Sequence, residues 1–341
     1  MRQSAYVLTF ALLAGIPFGV RAAEKETEVV AYVSGQAERW QRLNQAFQSK
    51  HPSIEVKSIR GNYERTRTRV TTEALAGSHL VDVIHMDPFN GWLLVQRGLF
   101  QPYLSKEAAA FPDRFRDPAN LLVCCLQGIP NIISYNTNMV SKEAAPKNYD
   151  DLLNPRWKDQ LGMDEDESEW FAALIAIWGK DKATNFLRGL NKQAPSLRRG
   201  HTLLAQLNGA GEFAVAVNVF GYEVLLMKGQ GAPIEPVLAF PVVVRPSYLA
   251  IAKHAPHPNA AKLYLDFAIS AEGQQLWANF GAPVLRSGIK LRFPELLNNP
   301  NVRPVTLEIE GHSVVIRNVV EKHIPEVRFG ERVPIGNSVR P

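Results

Sequence analysis

Between Glu28 and Gln96 the chain alternates three times between a β-type run and an amphipathic helical run. Glu28 to Ser34 (EVVAYVS) reads as a strand. The helix after it carries Trp40, Leu43 and Phe47 on one face and ends at His51-Pro52. Ser53 to Ile59 is a second strand, and Asn62 to Ala76 a helix stopped by Gly77. Leu80 to His85 is a third strand, and Phe89 to Gln96 a helix stopped by Gly98. Parallel strands need a crossover long enough to hold a helix. This order therefore predicts a mainly parallel sheet with helices on both faces.

The alternation resumes beyond a polar segment, Asp113 to Asn120. Strands are expected at Gly128 to Tyr135, Phe213 to Val217, Phe240 to Val244 and Tyr248 to Ala252, the last two separated by Pro246. Helical stretches are expected at Asn148 to Leu153 and from Phe171 to Trp178. A chain of 341 residues with this pattern fits two α/β lobes, and it contains no internal repeat.

Residues 1–22 read as a secretory signal peptide. Arg2 gives a basic start, Tyr6 to Val20 is apolar, and Val20-Arg21-Ala22 before Ala23 offers a small-residue cleavage site. The mature chain is expected to be exported, in the periplasm. No later segment reaches the roughly 18 apolar residues of a membrane span. The net charge of +5 includes Arg2 and Arg21, and without them it is too weakly positive to argue for nucleic acid. The arginines at 65, 67 and 69 read as a solvated helix face. Cys124 and Cys125 are adjacent in an apolar run and are expected to be two buried thiols, because neighbouring cysteines bridge only with strain.

Lys253 to Gln275 reads KHAPHPNAAKLYLDFAISAEGQQ. Pro258 suits a first helical turn, and Ser270 can cap a second helix bearing Trp277 and Phe280. This wording, with NYDDLLNPRWKDQLGM and GAPI in the same order, resembles the type II periplasmic solute-binding proteins of ABC importers. The branch is the one that includes ferric-ion, thiamine and phosphonate binders. The resemblance runs from about Val29 to Gln275. It implies an α/β fold of two lobes with the ligand cleft between them, closing by a hinge. Lobe one would hold 27–115 plus 243–290, and lobe two 121–238 plus 291–341. It also implies a binding protein rather than an enzyme, monomeric, with an ABC permease as partner.

Open α/β sheets bind ligands beyond the carboxyl ends of their strands, which nominates residues there. Ser34, Gly35 and Gln36 follow the first strand: an ordinary cap, or free N–H groups for a ligand. Asp87 follows the third: a helix cap, or a cleft carboxylate at the position where the resemblance places a ferric ligand. Asp164, Glu165, Asp166, Glu167 and Glu169 cluster ahead of Trp170. Asp166 and Glu169 have capping-box spacing, while Glu167 and Trp170 are cleft candidates. In GEFAVAVNVFGYEVLLMKGQG, Asn218 is a candidate. The resemblance sets Gly221 and Tyr222 where many ferric binders carry two tyrosines, so one phenol is lost. Asp87 and Tyr222 are the metal-ligand candidates, with Glu167 or Tyr135 as a further oxygen. Arg199 and Arg245 are candidate anion clamps.

No cofactor is required. Ferric iron, with an accompanying anion, is the first ligand expected from this set. A phosphonate or sugar phosphate and an organic cation such as thiamine or a polyamine stand as alternatives. A receptor presenting its ligand to a sensor kinase is compatible with the same fold. A secreted hydrolase is disfavoured by the lack of a G-x-S-x-G elbow.

Overall fold

The computed structural model describes residues 26–304 apart from Asp166; the signal-peptide segment and the chain beyond 304 lie outside the described residues. In chain order the strands are β1 Glu28–Val33, β2 Glu55–Arg60, β3 Val83–Met86, β4 Phe100–Gln101, β5 Val123–Asn136, β6 Leu161–Asp164, β7 Ser196–Arg198, β8 Val215–Phe220, β9 Ile234–Val237, β10 Val242–Ala252 and β11 Val302–Pro304. The α-helices are α1 Ala37–Lys50, α2 Tyr63–Leu75, α3 Pro88–Val95, α4 Ser168–Trp178, α5 Lys180–Lys192, α6 His201–Ala210, α7 Gly221–Gly229, α8 Pro258–Ile269, α9 Ala271–Asn279 and α10 Glu295–Asn298. No helix among the described residues is long and apolar enough to cross a membrane.

The sheet runs β2-β1-β3-β10-β5-β8-β6-β7. Each wing is parallel, as the β-α alternation predicts: β2, β1 and β3 on one side, β8, β6 and β7 on the other. The centre is not. β5 and β10 are antiparallel to each other and to β8 and β3 beside them, while β10 also pairs β11 in parallel. Both are long, and both change core partway. Val123, Cys125, Leu126 and Tyr248 to Ala252 belong to a core built on β1, α1, β3, α8 and α9. Ile132, Ile133, Val243 and Val244 belong to the cores around β6, α4, α5 and β8. Two strands thus join two α/β bodies, and their middle is the hinge.

Two strand expectations change at this hinge. β5 starts at Val123, not Gly128, and β10 runs unbroken through Pro246. Proline is tolerated because Arg245 to Ser247 pair only with β5, between the stretches that bond β11 and β3, so no ladder bond is lost on the open edge. Gly128, opposite Pro246, is needed for close approach: a Cβ there would lie 2.8 Å from Leu285 Cδ2 and 2.9 Å from Val244 Cγ1. Cys125 is buried but disulfide-bonded rather than a free thiol, since burial in an apolar strand does not decide oxidation state.

The first body is closed by polar ties. Glu26 caps α8, accepting from the backbone N–H of Asn259 at 2.9 Å and of Ala260 at 2.7 Å. Fully buried Asp82 accepts from Val30 N at 2.8 Å, His257 N at 2.7 Å and His257 Nδ1 at 3.1 Å, joining β1 to the start of α8. Asp82→Ala strands those donors, so we expect a loss of about 2–4 kcal/mol. It should be read as a lower urea midpoint at unchanged slope.

Candidate functional site

Strands β1, β2 and β3 all end on one side of their body and each feeds a helix, which puts Ser34 to Gln36, Tyr63 and Asp87 together at the strand ends. The second body answers with the starts of α4 and α7, and the hinge strands supply Asn131 and Arg245 between them.

Asp87 is both a cap and a cleft residue. Its Oδ1 accepts from Asn90 N at 2.6 Å and its Oδ2 from Asn90 Nδ2 at 2.8 Å. Asn90 is held in turn by Arg67 Nε at 2.8 Å, so Arg67 is not merely solvated. Burial, then the charge of Glu169, pushes the Asp87 carboxyl up to about 8.

Glu169 is the residue the sequence misassigned. The N-cap of α4 is Glu167, with no side-chain cap bond. Glu169 does not cap its own helix but crosses the cleft. Its Oε1 accepts from Phe89 N, at the start of α3 in the other body, at 2.9 Å, and its Oε2 pairs with Arg245 Nη1 at 2.8 Å. Arg245 Nε also donates to Asn131 Oδ1 at 3.1 Å. The rest of the acidic run is dispersed: Asp164 accepts from Gly200 N at 2.6 Å, Glu165 pairs with Arg199, and buried Glu167 accepts from Asn218 Nδ2. Asp166 lies outside the described residues. Of these carboxylates Glu169 alone bonds Arg245 directly, and the charges of Glu167 and Asp87 add to the stabilisation of its guanidinium.

Beside them lies a second cross-cleft group. Gln36 Nε2 donates to both carboxylate oxygens of Glu223 at 2.9 and 3.1 Å. The Arg39 guanidinium sits 3.8 Å from Glu223 and 4.6 Å from the ring centre of Tyr222. Tyr222 is buried, its hydroxyl pushed up to about 12 by burial against the opposing charge of Arg39. Its ring stacks on Phe220, which packs on His201 at 4.3 Å. His201 Nδ1 lies 2.8 Å from the carbonyl of Asn218, a buried residue in the left-handed region at φ 64°.

Of the residues nominated from sequence, Asp87, Glu167, Asn218, Tyr222, Arg245 and Gln36 come together. Ser34 and Gly35 stand at the rim with less freedom than expected, since Ser34 N bonds His85 Nδ1 and the Gly35 carbonyl accepts from Arg60. Three others are placed elsewhere. Tyr135 sits at the far end of β5, opposite Val215 and Glu235, because the strand carries it away from the hinge. Trp170 is fully buried against Tyr149 and Phe186, on the core face of α4 one residue past Glu169. Arg199 is mostly exposed and paired with Glu165. Residues not nominated but present are Glu169, Tyr63, Arg39, Glu223, Asn131 and His201. The rule that strand ends line the cleft nominates Tyr63, the first residue of the helix that follows β2. No sequence signal marks Glu169 as crossing between bodies. Among the described residues no three His, Cys, Asp or Glu side chains gather as a metal site.

Two α/β bodies joined by two antiparallel crossing strands, with a polar cleft at the strand ends, define the two-lobe type II periplasmic binding protein fold. Solved structures share it. Iron-bound HitA from Pseudomonas aeruginosa superposes with TM-score 0.74 at 20% identity, covering 87% of this chain and 99% of that one. AfuA from Actinobacillus pleuropneumoniae, with exogenous fructose-6-phosphate bound, gives TM-score 0.74 at 21% identity over 89% and 99%. A Haemophilus influenzae protein described as uncharacterized is 25% identical over 342 residues, 95% of this chain and 97% of its own length. Residues 78–300 match the bacterial extracellular solute-binding protein family, and the chain belongs to it.

Proposed function

We propose that this chain is the periplasmic receptor of an ABC importer. It captures a cationic solute, ferric iron foremost, and delivers it to the permease without catalysing a reaction. In this reading it works as a monomer, after removal of residues 1–22. Lobe one is 27–115 plus 243–290 and lobe two 121–238 plus 291–341.

The observation that carries the cation is the excess of carboxylate in the cleft. Asp87, Glu167, Glu169 and Glu223 face two guanidiniums, those of Arg245 and Arg39, and buried charge must be balanced. A proton on Asp87 supplies part of that balance when no solute is present, and a cation does so more fully. Carboxylate and phenol oxygens suit a hard ion such as Fe(III). The same excess opposes a sugar phosphate, which would add negative charge. One observation favours a second reading: the stacked rings of half-buried Phe220 and buried Tyr222 suit an organic cation.

Native mass spectrometry of the protein as isolated from the periplasm, paired with thermal shift on ferric citrate, tests this. A ferric adduct, and stabilisation of about 2.7 kcal/mol at a hundredfold excess over Kd, is expected. An anionic organic adduct with no ferric shift overturns it, and an organic cation moves the assignment to the second reading. Loss of uptake on deleting the gene, with ferric-dependent stimulation of the permease ATPase, is expected for transport. A sensor-kinase partner would leave uptake intact.

A further inference from the structure

We propose that His79 and His254 form a binding site for a divalent late transition ion such as Zn2+, at the end of the first body away from the cleft. The site is independent of the solute held at the strand ends. No sequence spacing brings these two histidines together; the sheet does.

The position follows from strand register. β3 and β10 are antiparallel neighbours, with Val83 opposite Ile251. Past that pair, Ala252 N–H donates to the Asp82 carbonyl at 2.9 Å and Lys253 N–H to the Leu99 carbonyl at 2.8 Å. The chain leaving β10 is thereby held beside the chain entering β3, and His254 meets His79. The cleft lies at the carboxyl end of β3, so this pair stands at the opposite end of that strand. Both rings border a surface concavity that Val70, Ala74, Leu99 and Ala252 also line.

The geometry suits a shared ion. The ring centres are 4.5 Å apart and the planes are inclined at 47°. Two imidazoles on one ion, with metal–nitrogen distances of about 2.0–2.1 Å and an angle between right and tetrahedral, have ring centres about 4.5–5 Å apart. The ring nitrogens are also free to ligate. His85, His201 and His257 each bond a neighbour, whereas His79 and His254 have no hydrogen-bond partner among the described residues. Glu73 lines the same concavity. Its Oε1 accepts from Tyr32 Oη at 2.8 Å and Arg69 Nε at 2.7 Å, while its buried Oε2 has no partner. That oxygen suits a water carried by the ion, an outer contact of the kind that orients a metal's ligands. No three His, Cys, Asp or Glu side chains gather as a metal site among the described residues, so the ion keeps water at its remaining positions. Imidazole nitrogens favour zinc, copper or nickel over the hard ferric ion, which sets this chemistry apart from that of the cleft. Lys253 brings an opposing charge to the concavity, but it is exposed and its flexible stem lets the ammonium turn to water.

Tag-free protein, stripped with chelator, is titrated with Zn2+ by calorimetry and with Cu2+ under electron paramagnetic resonance. One ion per chain is expected at this site, with superhyperfine splitting from two nitrogens. Chelation needs both rings. His79→Ala and His254→Ala should therefore each weaken binding at least about tenfold, and the double variant should do little worse than either. Lys253→Ala should tighten it. Because the ion ties the entry of β3 to the exit of β10, Zn2+ should raise the Tm of wild type and not that of the single variants. Ferric titration run alongside should return one affinity for wild type and variants; a fall in the histidine variants overturns the separation from the cleft. Single variants that keep the wild-type Zn2+ affinity place the ion elsewhere and overturn the site. A copper spectrum with one nitrogen, or a wild type that takes up no Zn2+, does the same.

Discussion

Glu169→Ala is expected to open the unliganded cleft and to weaken cation capture in the same variant. Its carboxylate touches both lobes and the hinge, through Phe89 N at 2.9 Å and Arg245 at 2.8 Å. Both partners of the ion pair are about one-seventh exposed, 14% and 16%, so solvent screens the pair only slightly. Removing one partner of such a pair leaves Arg245 without its nearest counter-charge. The cost to the closed state is about 3 kcal/mol, at the lower end for buried pairs because some water reaches the site. Small-angle scattering should then show a larger radius of gyration for the apo variant than for wild type. Ferric titration should show an affinity lower by about a hundredfold. Glu169→Gln separates the two roles: it keeps an acceptor for Phe89 N–H but not the charge, so it should close better than alanine yet bind the cation poorly. Unchanged scattering in the alanine variant would falsify the bridging role.

Why Glu169 escaped sequence reading is instructive. Its spacing from Asp166 matched a capping box, and acids in a first helical turn have an ordinary explanation in the helix dipole. What separates a capping acid from one that crosses between lobes is the position of the other lobe, which no local pattern encodes. The wings of the sheet were legible because each strand and helix there carries its own periodicity and its own stop, as at Gly77 and Gly98. β5 and β10 were legible as strands but not in their full length or continuity. Gly128, Pro130 and Pro246 look like breakers in a local window, yet they sit where two lobes meet and one edge of β10 has no ladder to complete. Trp170 was misplaced for a related reason. One residue further along a helix rotates the side chain about a quarter of the way round, from the cleft at Glu169 to the core beside Tyr149.

Gly273→Ala is expected to damage the scaffold while leaving the site intact. The glycine lies in the AEGQQ segment, in the first turn of α9, where α8 ends and the chain turns sharply. Ser270 makes the turn: its hydroxyl donates to the Phe267 carbonyl at 2.7 Å and accepts from Gly273 N at 3.2 Å. A Cβ on residue 273 would lie 2.2 Å from the Phe267 carbonyl oxygen and 2.8 Å from that of Ala268. These are backbone atoms at the end of a helix, so no rotamer change relieves them, and α9 must shift bodily. That shift would pull on Gln274, whose Nε2 holds the Leu126 carbonyl of β5 at 3.0 Å, and on Trp277, packed edge-on against Trp40 at 5.0 Å. Overpacking usually costs 1–3 kcal/mol, and a backbone clash belongs at the top of that range or above it. A cost of about 3 kcal/mol corresponds to a fall in Tm of about 4–5 °C for a chain of this size. Calorimetry on the apo protein checks the fall, and ferric titration of the folded fraction at low temperature should return the wild-type affinity. A Tm within about 2 °C of wild type would mean that α9 moves more freely than the Gln274 and Trp277 contacts imply. The glycine in this segment thus has a packing reason, remote from the ligand: it lets one helix end directly against the start of the next.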